Sequence, residues 1–228
     1  MAIRDWFKRR KKLSEEAAAP VNTACPEASE APAEPEEILE ADDVFEAEPM
    51  PRLTDMDFSD FWHDIRESER RYMSSPADLR EIRDVQEKLG FRLPDAYVEL
   101  MKMHNGGLLN RCWYPVKEDA KTYSDYIQVT GILGIGSEVP YSLCGRFGSE
   151  FLLEGHETLK GAGIALMNSI SPTRAMLMLD YRKCGVNGEP EILYVNLETK
   201  EERVVARDFE AFIRNLKTSM EALSDSET

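Results

Sequence analysis

Leu89-Gly90-Phe91-Arg92-Leu93-Pro94-Asp95-Ala96-Tyr97, followed closely by Asn105-Gly106-Gly107, leaves this chain few ways to fold. Glycine ends a helix by taking up the left-handed conformation. Proline starts one, because its missing N–H falls among donors that have no intrahelical partner. The run therefore reads as one helix stopping at Gly90, a second starting at Pro94, and a second stop at Asn105-Gly106-Gly107. Leu79, Ile82, Val85 and Leu89 recur at helical spacing ahead of it, which predicts a helix over 76–89 with Ser75 as its cap. Tyr97, Leu100, Met101 and His104 line one side of the next helix. Upstream, Thr54 and Asp57 resemble a capping pair, and Phe58, Phe61, Trp62 and Ile65 predict a further helix with an apolar stripe.

After Gly107 the period changes. Residues 126–130 alternate, and 163–167, 175–181, 191–196 and 203–206 are short apolar runs bounded by turn residues, which predicts strands. Val186-Asn187-Gly188 between two of these runs suggests a hairpin with a longer loop than a two-residue turn. Asp208 can cap a closing helix whose apolar face is Phe209, Phe212, Ile213 and Leu216. Helices, then strands, then a closing helix indicate an α+β domain with helices packed against a mainly antiparallel sheet.

Composition divides the chain. From Glu15 to Glu48 there are 12 acidic residues, no Lys or Arg, and few large apolar side chains. Such a stretch cannot bury enough surface to offset the entropy of ordering. The expected organisation is a disordered tail over 1–52, an α+β domain over 53–223 and a frayed terminus over 224–228. At the start of the tail, Ile3, Trp6, Phe7 and Leu13 precede or flank Lys8-Arg9-Arg10-Lys11-Lys12. Residues 1–13 could make weak contact with an anionic membrane surface, or be a solubilised terminus against which the acidic tail folds back. The net charge of −15 argues against direct nucleic-acid binding and favours a basic partner, if the partner is charged. Cys25, Cys112, Cys144 and Cys184 form no Cys-x-x-Cys pair and no secretory segment precedes them, so reduced thiols in a cytoplasmic protein are expected.

Catalytic and metal patterns are sparse. There is no Gly-x-Ser-x-Gly elbow, and Gly134-Ile135-Gly136-Ser137 is too short for a phosphate loop. His63 and Glu67 have i, i+4 spacing but read as solvated polar residues, and Glu154-Gly155-His156-Glu157 lacks a partner cluster. Asp180 and Glu189 flank the hairpin and could approach each other. Their expected role is to accept backbone N–H groups and brace the turn rather than to form a catalytic pair. Cys184 reads as an incidental turn cysteine. No enzyme activity, cofactor or metal is expected.

The chain resembles the SUKH superfamily, which includes fungal cell-wall synthesis regulators and bacterial immunity proteins of toxin systems. The helical part of the resemblance is Val85 and Glu87-Lys88-Leu89-Gly90, leading into Leu93-Pro94, Tyr97 and Asn105-Gly106-Gly107. The sheet part is Asp180-Tyr181, the Cys184-Gly185 turn, Gly188-Glu189-Pro190 and Ile192, and Phe209 and Phe212 match the closing helix. Many relatives carry Gly-Gly-His before the Asp-Tyr strand, where this chain has Ser171-Pro172-Thr173-Arg174. The resemblance implies a scaffold that acts by binding proteins, with specificity on surface loops.

Two functions follow as expectations. As an immunity protein, the chain would block a toxin domain, often a nuclease or deaminase in this family. Nucleic-acid enzymes present basic clefts that carboxylates can occupy. The candidate partner surface is then Glu118, Asp119, Asp125, Glu150 and Glu154. Alternatively, the domain is a scaffold or regulatory module tethered through its tail.

Overall fold

The computed structural model describes residues 52–117, 119–169 and 175–224. All of them lie in the second of two units into which the chain divides, Ala47–Thr228. Residues 1–51 of the expected tail, with the basic start, and residues 225–228 lie outside the described residues, as do Glu118 and the Ser171–Arg174 segment.

In chain order the helices and strands are α1 (Arg66–Arg71), α2 (Leu79–Leu89), α3 (Asp95–Met103), β1 (Gly107–Leu108), β2 (Trp113–Pro115), β3 (Tyr126–Gln128), β4 (Gly131–Ile132), α4 (Ser149–Leu152), α5 (Glu157–Lys160), β5 (Gly163–Ser169), β6 (Ala175–Asp180), β7 (Glu191–Asn196), β8 (Glu202–Ala206), α6 (Phe209–Arg214) and α7 (Ser219–Ser224). The protein is α+β. Strands β5 to β8 form one antiparallel sheet in sequence order, and β1–β4 and β2–β3 form two small antiparallel pairs. Strand β6 reads Ala-Met-Leu-Met-Leu-Asp and is buried at every position, so both faces of the sheet are covered. Helix α6 packs on β7, β8 and α3, while α4 and α5 lie against β5. Rings knit these layers: Tyr97 meets Phe209 edge-on at 5.2 Å, and Tyr114 stacks on Phe212 at 4.8 Å.

Helix ends follow the sequence signals closely. Gly90 has φ +78° and closes α2. Asp208 caps α6 by accepting the Ala211 N–H at 2.7 Å. At the other end of α2 the cap is Asp78, which accepts the Glu81 N–H at 2.8 Å, so the helix starts at Leu79 rather than at Pro76. Leu79 is then turned to solvent, 71% exposed, while Ile82 and Val85 are buried.

The helix expected near Thr54 is not formed. Residues 52–65 run as turns without a helix, and the first helix among the described residues is the short α1. Asp57 accepts the Ser59 N–H at 2.9 Å, a local turn that competes with helix. Phe61 is fully buried, and Trp62 bridges to Leu109 and stacks on His104 at 4.2 Å. Phe61, and in part Phe58 and Trp62, are therefore buried from an irregular segment, while Ile65, the fourth residue of the expected stripe, is exposed. The start of the segment is pinned at both ends of the fold: Glu99 accepts the Leu53 N–H at 3.2 Å, and the Arg214 guanidinium donates to Asp55 at 2.7 Å.

Candidate functional site

The sequence signature turns inward. Tyr97 donates its hydroxyl to the Leu133 carbonyl at 2.6 Å. Asn105 is buried at 1% exposure; its Nδ2 donates to the Ser75 and Ile135 carbonyls at 2.8 and 3.0 Å, and its Oδ1 accepts the Ile135 N–H at 2.7 Å. Gly106 has φ +81°, and a Cβ there would lie 2.6 Å from the Tyr72 carbonyl oxygen. At Gly107 a Cβ would press on Trp62. The Asn-Gly-Gly corner therefore clamps two remote segments, 72–75 and 133–136, to the end of α3.

The second signature block docks on the first. Tyr181 donates its hydroxyl to the Arg92 carbonyl, the Arg92 N–H donates to the Val186 carbonyl at 2.8 Å, and Phe91 lies 4.6 Å from the Tyr181 ring. Leu93, Pro94 and Pro190 are buried, and Gly185 turns the loop at φ +74°. Burial pushes the Asp180 carboxyl up, but the Arg182 guanidinium and N–H outweigh it and hold it below the usual carboxylate range. Asp180 thus braces the turn as expected. Glu189 is exposed and has no hydrogen-bond partner among the described residues, so the expected second brace is not formed.

The candidate acidic surface is divided by the structure. Asp119, Glu150 and Glu154 are exposed. Asp125 is withdrawn from it: the residue is 8% exposed, and its carboxylate accepts from Lys117 Nζ at 2.5 Å, Thr122 Oγ1 at 2.9 Å and two backbone N–H groups. The Lys117 ammonium, with those donors, holds its carboxyl well below the ordinary range. Asp125 organises its own loop and is not available to a partner.

A cleft of about 460 Å³ lies where α2 meets the segment held by Asn105. Asp78, Glu81 and Asp84 line it from α2, and Glu138 faces them from the loop after Gly136. Burial raises the Glu81 carboxyl above its ordinary value, and the like charges of Asp78 and Glu138 add to that. A Cβ at Gly136, φ +127°, would collide with the Glu81 carboxylate, so the glycine permits their approach. Asp78, Glu81 and Asp84 recur every third residue on one helix face, the one signal that could have marked them. Their fourth member comes from a loop more than fifty residues away. Among the described residues no group of His, Cys, Asp and Glu is placed to hold a metal ion, and no helix is long and apolar enough to cross a membrane.

The fold and the signature contacts define one α+β scaffold. Residues 76–215, more than half of the chain, match the SMI1 / KNR4 family (SUKH-1), and the chain belongs to that family. No curated protein matches the chain.

Proposed function

We propose that this chain is a protein-binding module that acts without catalysis, as an immunity protein that binds and blocks a toxin domain with a basic surface. The observation that carries this reading is where the signature groups go. The hydroxyls of Tyr97 and Tyr181, the amide of Asn105 and the carboxylate of Asp180 are all engaged inside the scaffold. Recognition is left to the rest of the surface, which in a chain of net charge −15 is suited to a basic partner. Family membership supports the same direction.

The test is affinity capture with the tagged full-length chain at low and high salt, followed by an activity assay of whatever is bound. A basic protein released by salt, whose own activity is blocked by added chain, is the expected result. An Asp180→Asn, Glu189→Gln double variant that folds and still protects would exclude a catalytic role for that pair. A second reading is a scaffold tethered through residues 1–52, favoured by the basic block Lys8–Lys12 and the acidic stretch behind it. Capture of envelope or regulatory proteins, lost when residues 1–52 are removed, would support that reading over the first.

A further inference from the structure

Four rings outside the signature form a ladder beside the cleft. Tyr72 and Tyr141 stack at 4.4 Å with planes 7° apart; Phe147 follows 5.2 Å from Tyr141, and Phe151 meets Phe147 edge-on at 5.2 Å. The Arg71 guanidinium sits 5.5 Å over Tyr141, and that of Arg146 sits 5.2 Å over Phe147. Of the four rings, Tyr141 packs against the core, and the other three are not explained by it. Tyr72, Phe147 and Phe151 belong to neither core cluster, and Phe151 is 48% exposed. Tyr, Phe and Arg gathered on a surface are the composition of an interface centre.

Ladder and cleft are built from the same two segments. The Tyr141 N–H donates to the Arg71 carbonyl at 2.9 Å, joining them. Three residues beyond Tyr72 the first segment lines the cleft at Ser75, and the second lines it on either side of Tyr141, at Glu138 and Cys144. The charge of the cleft selects the occupant. Four carboxylates face two cations there, and one of those, Arg80, lies 4.0 Å from Asp84. The Glu81 carboxylate has no hydrogen-bond partner among the described residues. The carboxylates are not grouped for a metal ion, and the volume far exceeds one bare cation.

We infer that this continuous surface is where the partner docks, with a lysine or arginine side chain of a basic protein entering the cleft and a neighbouring apolar side chain resting on the ladder. The inference rests on the protein-binding reading above and gives it a location. It places recognition at Glu81 and Glu138 rather than at Glu150 and Glu154.

The test uses two double variants of the full chain with equal change in net charge: Glu81→Gln with Glu138→Gln, and, on the exposed turn between β7 and β8, Glu198→Gln with Glu201→Gln. Each is titrated with a hexa-arginine peptide, with ¹⁵N amide shifts and affinity as readouts. The wild-type chain should show its largest shifts at Ser74, Ser75, Gly136 and Ser137. The cleft pair should weaken binding about tenfold or more, the other pair less than about twofold. Glu138→Gln alone, on an exposed loop, keeps the test valid if the double variant fails to fold. Equal weakening by both pairs, or a preference of the ladder for hexauridylate over the peptide, would overturn the inference. The captured partner separates the two levels. If wild type and cleft variant bind it equally, the docking site is wrong and the protein-binding reading stands. If wild type captures no basic protein, the reading itself fails. Phe151→Ala should weaken the captured complex without moving the thermal midpoint.

Discussion

Asn105 carries more of the fold than its place in a helix stop suggests. Its amide is an internal plug: it satisfies both polar groups of buried Ile135 and the part-buried carbonyl of Ser75. Asn105→Ala should cost about 2–4 kcal/mol in urea unfolding, because buried backbone groups are left unpaired rather than exchanged for water. The glycines separate conformational cost from steric cost. Gly90 at φ +78° has open space around it, so Gly90→Ala should cost about 1 kcal/mol. Gly106 at φ +81° also abuts the backbone of Tyr72 and Gly134, so Gly106→Ala should destabilise far more and shift the 133–136 segment. The positive φ at Gly106 was legible in the sequence. The reach of the Asn105 side chain was not, because its partners lie 30 positions away and no local pattern announces them.

At the scale of elements, the Gly90 stop and the Asp208 cap were readable, whereas Ser75 and the Thr54–Asp57 pair were misleading as caps. Asp78 caps α2, and Asp78→Ala should cost about 1 kcal/mol. Leu79 fits the apolar period yet faces solvent, since the helix begins later than the Ser75-Pro76 signal implied; Leu79→Gln should change stability by less than about 0.5 kcal/mol. Phe58, Phe61 and Trp62 have helical spacing by coincidence: Trp62 rests on Leu109 and His104, and Phe61 on the rings of Phe58 and Trp62. Strands β1, β2 and β4, of two or three residues, are too short to show a period. Loops carry the acid sensitivity. Asp125 and Asp180 both have depressed carboxyl pKa values in the fold, so their contributions are present above the unfolded value near 4 and fade as pH falls through the folded values. Asp125→Asn should be less stable than wild type near neutral pH, with the difference shrinking on acidification. Denaturant midpoints taken from pH 7 down to 2 would show it.

The whole molecule is larger than its family match. That match begins at residue 76, but Leu53 and Phe61 are fully buried, and the segment around Leu53 is held by Glu99 and Arg214. Removing residues 1–46 should leave the thermal midpoint of the domain within a few degrees. Removing 1–75 should lower stability by roughly 5 kcal/mol or more, about 10–20 °C, through loss of two core side chains. Calorimetry on the two truncations reads the contrast directly. The tie between Asp55 and Arg214 spans 159 positions. During synthesis at ~5–20 residues per second, the segment around Leu53 leaves the ribosome roughly 8 to 30 s before the helix that holds it. Until Phe209 and Phe212 emerge, the faces of Tyr97 and Tyr114 that they cover also stand open. A nascent chain stalled before residue 209 should therefore be a good chaperone client, and one released past 216 a poor one.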